Sequence, residues 1–113
     1  MSDCLFCKVA DKKIPAKTIY EDSEVMIFED IHPQAPVHWL AIPKAHVASV
    51  GELAGDLQAA LLGKVMLKVK DEAHRAGVKD FRLVINNGPL SGQSVFHLHV
   101  HLLSGRVLKW PPG

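Results

Sequence analysis

The chain has little of several things that would point to a function. Its 113 residues carry a formal net charge of only +1, with no basic block, so we expect no nucleic-acid partner held by phosphate neutralisation. No apolar stretch approaches membrane-spanning length, and Met1 to Cys4 contain an acid instead of the apolar core of a signal peptide. We therefore expect a cytoplasmic protein without a membrane partner.

What is present fits one compact domain over residues 1–113. Hydrophobic residues make up 48% of the chain and charged residues 22%, which is typical of a soluble globular protein and argues against disorder. No internal repeat, low-complexity segment or linker divides the sequence. This length allows a real but modest core.

Hydrophobic periodicity predicts one long helix among several strands. The predicted elements are a short helical turn capped by Asp3 and ended at Ile14-Pro15, strands at 18–20, 25–28, 37–42, 81–85 and 95–103, and a helix over 54–76 that stops at Gly77. The strands do not alternate regularly with helices. We therefore expect an α+β domain built on a mostly antiparallel five-stranded sheet.

The only two cysteines, Cys4 and Cys7, are spaced C-x-x-C. They are two independent thiols, a redox pair, or half of a zinc site. A thioredoxin-like redox pair normally follows a strand in a βαβ unit, whereas this pair lies near the start of the chain. A zinc site needs two further ligands. His46 is a loop residue or the third of these ligands.

Three of the seven histidines, His97, His99 and His101, alternate with apolar residues. In a strand, alternate side chains point to opposite faces, so the three imidazoles are expected on one face while Leu98 and its apolar neighbours enter the core. Packing does not explain this concentration of imidazole. The pattern predicts a functional site.

Two chemistries are open for this triad. A three-histidine catalytic metal is one, but alternate strand residues are about 7 Å apart and zinc-bound nitrogens only about 3.3 Å. The other is nucleophilic attack by the central residue, His99, whose neutral ring offers one lone pair. The flanking histidines would then bind oxyanions or give a proton to the leaving group. The spacing favours the nucleophile.

The loop that leads into the triad, residues 86–94, suits an anion. Gly88 and Gly92 permit backbone N–H groups to turn towards it, and Gln93 and Ser94 add side-chain donors. The alternative is an ordinary Gly/Pro/Asn connection.

Other polar residues stay ambiguous from the sequence. His38, within a predicted strand, is a satisfied structural histidine or part of the site. Asp30 is a solvated turn acid or an acceptor for ribose hydroxyls. His74, late on the helix, is expected at the surface.

Together these residues resemble the histidine-triad (HIT) nucleotide-binding family, whose signature is His-φ-His-φ-His-φ-φ with φ apolar. Residues 97–103 satisfy it in full. The similarity extends over nearly the whole chain and favours the branch that hydrolyses purine nucleoside phosphoramidates. The matching segments are 6–8, 14–16, 30–36, His38, 42–44, 92–94 and 110–113.

The resemblance implies a homodimer whose two sheets join into one, and an enzyme that releases AMP or GMP through a nucleotidyl-histidine. It assigns nucleophilic attack to His99, with His97, His101 and His38 in support. It also places Asp30 on the ribose hydroxyls. The purine would be surrounded by Leu5, Phe6, Val9, Phe28, Ile31 and Leu40, and the phosphate or leaving group would meet Asn86, Gly92, Gln93 and Ser94. Trp110 belongs to a tail that would reach the partner's site.

Bacterial relatives often carry a structural zinc, and the resemblance assigns its ligands to Cys4, Cys7, His46 and His97. The hydrolytic step itself requires no catalytic metal, because His99 supplies the nucleophile. Alternatives within the resemblance are a dinucleoside polyphosphate hydrolase and a zinc-containing nucleotide-binding interaction protein. His32 stands where many relatives have serine, and Asn87 where an acid is common, and either could change substrate preference.

Overall fold

The computed structural model describes residues 3–113; Met1 and Ser2, which the single-domain prediction includes, lie outside this range. Its helices are α1 (Leu5–Ala10) and α2 (Gly55–Arg75), and its strands are β1 (Thr18–Glu21), β2 (Val25–Glu29), β3 (Val37–Pro43), β4 (Arg82–Val84) and β5 (Val100–Ser104). Two 3₁₀ turns at Val50–Glu52 and Pro89–Ser91 were not predicted. No helix among the described residues is long and apolar enough to cross a bilayer.

The five strands form one antiparallel sheet in the order β1-β2-β3-β5-β4. This confirms the predicted α+β class. The central position of β3 pairs it with β2 on one side and β5 on the other, with Leu40 opposite both Phe28 and His101. The hairpins and the crossover to β5 thus bring residues distant in sequence to one part of the sheet.

Each face of the sheet is covered by a different helix. On one face, Val65, Val69 and Ala73 of α2 pack against a core that includes Val100 and Leu102. On the other, α1 packs against side chains of β2 and β3. That second cluster consists of Phe6, Val9, Ala10, Met26, Phe28, Leu40 and Ile42. Strand alternation explains the division, because successive residues of β2 belong to opposite clusters.

Helix α2 ends where the sequence predicted. Gly77 has a φ of 75°, its N–H donates to the carbonyl of His74, and the N–H of Val78 donates to that of Ala73. This is the glycine-terminated hydrogen-bond pair that closes many helices. The amino-terminal part of the predicted apolar stripe is less buried, since Leu57 is 88% exposed.

Two predictions at the ends of elements were wrong. Helix α1 is capped by Cys4, whose Sγ accepts from the Cys7 N–H, and not by Asp3; the helix ends at Ala10, before the proline. The histidine strand begins only at Val100. Continuing the β3–β5 register would place Leu98 opposite Pro43, which has no N–H to donate, and the Leu98 N–H instead bonds to the Val47 carbonyl.

Candidate active site

A cavity of about 390 Å³ opens on the α1 side of the sheet. It brings together most residues expected to surround a nucleotide: Leu5, Phe6, Val9, Phe28, Asp30, Ile31, Leu40 and Ser94, with His99 and His101. Sequence reasoning did not assign Ile14, Pro15, Ala16, Glu29, His32 and Val95 to this lining. Some of these could have been found from the sequence. Residues 14–16 lie in a segment that matches the family pattern, and His32 stands where that pattern often has serine.

His99 presents one defined nitrogen to this cavity. Its Nδ1–H donates to the backbone carbonyl of His97 at 2.8 Å, so the lone pair of the neutral ring lies on Nε2. His99 is 6% exposed, and its ring makes a T-shaped contact with the Phe6 ring at a centroid distance of 5.0 Å. Because the His97 carbonyl holds the proton on Nδ1, Nε2 is the ring nitrogen available for attack.

A chain of hydrogen bonds sets the tautomer of His101. The Gln34 N–H donates to His38 Nδ1 at 3.0 Å, so the His38 proton lies on Nε2. That Nε2–H donates to His101 Nδ1 at 2.9 Å, with an Asp30 oxygen 3.4 Å away. His101 consequently carries its own proton on Nε2. It is therefore a hydrogen-bond donor in the cavity, beside the His99 acceptor.

Burial favours the neutral forms of His101 and His38. Burial, together with smaller contributions from neighbouring His99 and His38, lowers the pKa of His101 to about 4. Burial also lowers the pKa of His38, an effect that the Asp30 carboxylate partly offsets. Near pH 7 His101 thus acts as a neutral N–H donor.

Asp30, His38 and His101 also form a group whose ligand atoms lie within 4.8 Å of one another. A metal at His38 Nε2 would have to replace the proton there while Nδ1 still accepts from the Gln34 N–H. The backbone donor opposes that exchange. The group is therefore arranged for hydrogen bonding.

Another group of possible metal ligands, formed by two cysteines and two histidines, fits a tetrahedral metal. Cys4, Cys7, His46 and His97 place one ligand atom each within 4.8 Å of all the others. His97 Nδ1 lies 3.3 Å from Cys4 Sγ, 3.4 Å from Cys7 Sγ and 3.3 Å from His46 Nδ1. Tetrahedral zinc with bonds of about 2.0 Å to nitrogen and about 2.3 Å to sulfur needs separations of about 3.3 Å between two nitrogens and about 3.5 Å between nitrogen and sulfur. The residues predicted as zinc ligands therefore have the spacing that zinc requires.

His97 is oriented for that role. Its Nε2–H donates to the Pro43 carbonyl at 2.7 Å, which leaves the Nδ1 lone pair facing the cysteines. Burial lowers the pKa of His97, against a smaller rise from the Pro43 bond. The ring is fully buried behind the cavity and does not line it.

The same architecture occurs in known proteins. The chain is 51% identical to the protein HitA of Neisseria gonorrhoeae over 108 residues, which is 95% of this chain and 100% of that protein. It belongs to the HIT family. A HIT family hydrolase from Legionella pneumophila Philadelphia 1 superposes on this HIT protein with a TM-score of 0.94 at 43% identity, covering 98% of this chain and 100% of that one.

Two further comparisons agree. Residues 3–108 match the family model described as scavenger mRNA decapping enzyme C-term binding. A histidine triad protein from Clostridium difficile gives a TM-score of 0.90 at 36% identity, covering 96% of each chain.

The loop before the triad of this HIT protein is largely bonded to itself. Gly88 and Gly92 have positive φ, as expected, but the Gly88 N–H donates to Gln93 Oε1 and the Gly92 N–H to the Pro89 carbonyl. The buried Gln93 amide also donates to the carbonyls of Ala48 and Val95. These donors hold the loop in shape.

Ser94 is the residue of this loop that lines the cavity, together with Val95 in the next segment. Asn86 does not line it, and Asn87 instead accepts from the Gly51 N–H at 2.7 Å. Trp110 lies outside the lining as well and is 81% exposed. Its predicted role concerns a second subunit, and this chain alone leaves that role a prediction.

Proposed function

We propose that this HIT protein is a hydrolase that releases AMP or GMP from nucleoside 5′-phosphoramidates. The observation that carries the proposal is the pair of complementary nitrogens in the cavity, a bare Nε2 on His99 beside an Nε2–H on His101. The naming of the Legionella relative as a HIT family hydrolase supports the reaction class.

The reaction follows from these two nitrogens. The His99 Nε2 lone pair attacks the α-phosphorus, a new P–N bond forms, and the original P–N bond breaks as the amine leaves with a proton taken up from solvent, which the later hydrolysis by water returns. The His101 N–H donates to phosphoryl or leaving-group atoms as charge develops. Water then hydrolyses the nucleotidyl-histidine, which yields the mononucleotide and restores His99.

The cavity has a polar and an apolar region for the two parts of a nucleoside. The Asp30 Oδ1 already accepts from the His32 N–H at 2.8 Å, which fixes the carboxylate and leaves further lone pairs for ribose hydroxyls. Phe6, Phe28 and Leu40 form apolar walls suited to a base. The preference for purine rests on the family resemblance.

Zinc would be held by Cys4, Cys7, His46 and His97. A closed set of four protein ligands is typical of structural zinc, so the metal would hold these four side chains together and would not take part in the reaction. His97 is then occupied as a ligand, which is consistent with a supporting role in the reaction.

A homodimer is the expected assembly. Strand β4 lies at the end of the strand order and pairs with β5 along one edge, so within residues 3–113 its other edge has no partner strand. A second copy pairing there would continue the sheet and could bring its Trp110 tail towards the cavity. Sedimentation velocity over a range of protein concentrations tests whether the chain dimerises. The cytoplasmic location stays a separate prediction.

The decisive experiment offers the protein an AMP-amine conjugate. We expect AMP release and, by intact mass, a transient adenylate that His99→Ala abolishes with a loss of about 10³-fold or more in turnover. His74→Ala, on the exposed end of α2, is the matched control and should retain activity.

The rival functions give different results. Faster turnover of a diadenosine polyphosphate would favour the dinucleoside polyphosphate hydrolase. AMP binding without an adduct or release from either substrate would contradict both enzymes and favour the nucleotide-binding interaction protein.

A further inference from the structure

We propose that His97 is a positioning residue, through which metal occupancy of the Cys/His cluster sets the orientation and tautomer of the nucleophile His99. The cluster is defined as Cys4, Cys7, His46 and His97. The expected effect on reaction rate rests on the proposed function of His99. The expected effect on the orientation and tautomer of its ring does not.

The first link is a single peptide unit. The His97 side chain belongs to the cluster, while its backbone carbonyl accepts the His99 Nδ1–H at 2.8 Å. The ring is anchored at Nε2 by the Pro43 carbonyl, 2.7 Å away, and metal ligation would anchor it at Nδ1 as well. With both nitrogens fixed, the residue and its carbonyl keep one position. Loss of the metal removes one anchor directly before the bond that holds the His99 proton on Nδ1.

The second link is the side chain of Phe6, which lies between the two cysteines in sequence. Its ring packs edge-on against His99 at 5.0 Å and against His97 at 6.2 Å, measured between centroids. Cys4 caps α1 and Cys7 lies within it, so metal ligation fixes the helix that carries this ring. The same helix supplies Leu5, Phe6 and Val9 to the cavity.

The backbone that carries His99 lies outside the regular sheet, so other contacts must position it. His97, Leu98 and His99 precede β5, so the sheet ladder does not hold the nucleophile's backbone. The Leu98 N–H bonds to the Val47 carbonyl at 2.6 Å and holds the backbone of this stretch. Val47 directly follows the ligand His46, and Leu98 directly follows the ligand His97, so each of the two bonded residues adjoins a member of the cluster. Side-chain anchoring thus replaces sheet pairing where the nucleophile is positioned.

A metal that merely stabilises the fold would behave differently. It would raise the melting temperature while leaving His99 and nucleotide binding unchanged. Metal-dependent positioning predicts that the His99 ring responds as well, on its own nitrogens. The two cases are therefore separable by measurements made on the folded protein.

The test titrates Zn²⁺ into chelator-treated full-length protein below its melting temperature and records the imidazole ¹⁵N spectrum of His99. With zinc bound we expect the pattern of an Nδ1–H tautomer with a bare Nε2. Without zinc we expect a mixture of tautomers, and a rate of adenylate formation lower by about tenfold or more. Affinity for AMP should fall too, and zinc should restore all three.

His46→Gln removes the exposed ligand, which has no contact with the cavity, and keeps three ligands should the zinc-free protein unfold. We expect the His99 spectrum and the AMP affinity of this variant to change with zinc as in the wild type, but at higher zinc concentration. His74→Gln, the same substitution on the exposed face of α2, should change nothing.

Zinc-independent His99 spectra and AMP affinity, with only the melting temperature changed, would overturn the inference, as would a protein that binds no zinc. If no phosphoramidate is hydrolysed while the His99 spectrum follows zinc, the proposed function fails and the coupling stands.

Discussion

Acid should destabilise this protein through His101. Burial lowers the pKa of its ring from 6.5 to about 4 in the folded chain, whereas the unfolded chain regains the ordinary value. As the pH falls, the unfolded state binds a proton before the folded state does. Stability from this group is therefore complete above about pH 6.5 and is lost progressively down to about pH 4.

The size of the effect follows from the two pKa values. A shift of one unit corresponds to about 1.4 kcal/mol, so acidification from about pH 7 to about pH 4.5 should lower the free energy of unfolding by about 2 to 3 kcal/mol through His101 alone. The buried rings of His38 and His97 have lowered pKa values as well and act in the same direction.

His101→Gln isolates this contribution. Its amide oxygen can still accept from the His38 Nε2–H, but the side chain does not titrate. Urea unfolding of wild type and variant at both pH values gives a double difference in which constant packing losses and acid effects at groups distant from residue 101 cancel. We expect wild type to lose about 2 to 3 kcal/mol more than the variant. An equal loss in both proteins would refute the reasoning, and His74→Gln, which is exposed, should behave as wild type.

Three further predictions concern the relay, the core and the loops. His38→Ala should lower turnover about 10- to 100-fold in the phosphoramidate assay, because the N–H that fixes the triad tautomer is lost, while AMP binding persists. Leu102→Ala should lower the unfolding free energy in urea by about 2 to 5 kcal/mol, since the side chain is fully buried between β-strands and α2. Gly51→Ala should lower the melting temperature, because its Cβ would lie 2.8 Å from Asn87 Oδ1. Gly63→Ala, on an exposed turn of α2 with nothing within 4 Å, should raise it.

The parts of the fold that sequence reasoning predicted well are those governed by local periodicity. The α2 helix and its stop at Gly77 follow from apolar spacing and from the freedom of glycine at positive φ. Strands β1 to β4 likewise lie where runs of β-branched and aromatic residues indicated them. The order of the strands and their register depend on distant partners, and the sequence pattern assigned neither.

The extent of the histidine strand was mispredicted because alternation alone does not show where pairing stops. The pattern over 95–103 reads as strand throughout, yet the ladder ends at Val100, where the opposite strand is about to reach Pro43. A single missing N–H on a neighbouring strand decided this boundary. Likewise, the loop amides expected to face an anion are bonded within the loop, because Gln93 is buried beneath it.

The different roles of three identical side chains have the same kind of origin. His97 donates from Nε2 to the Pro43 carbonyl, whereas His99 donates from Nδ1 to the His97 carbonyl. His101 accepts at Nδ1 from His38. Each ring therefore exposes a different free group: a lone pair towards the cysteines, a lone pair towards the cavity, and an N–H beside it. Alternation in the sequence brings the imidazoles together, but the hydrogen-bond partner that each ring meets decides which of them is suited to hold metal, attack, or donate.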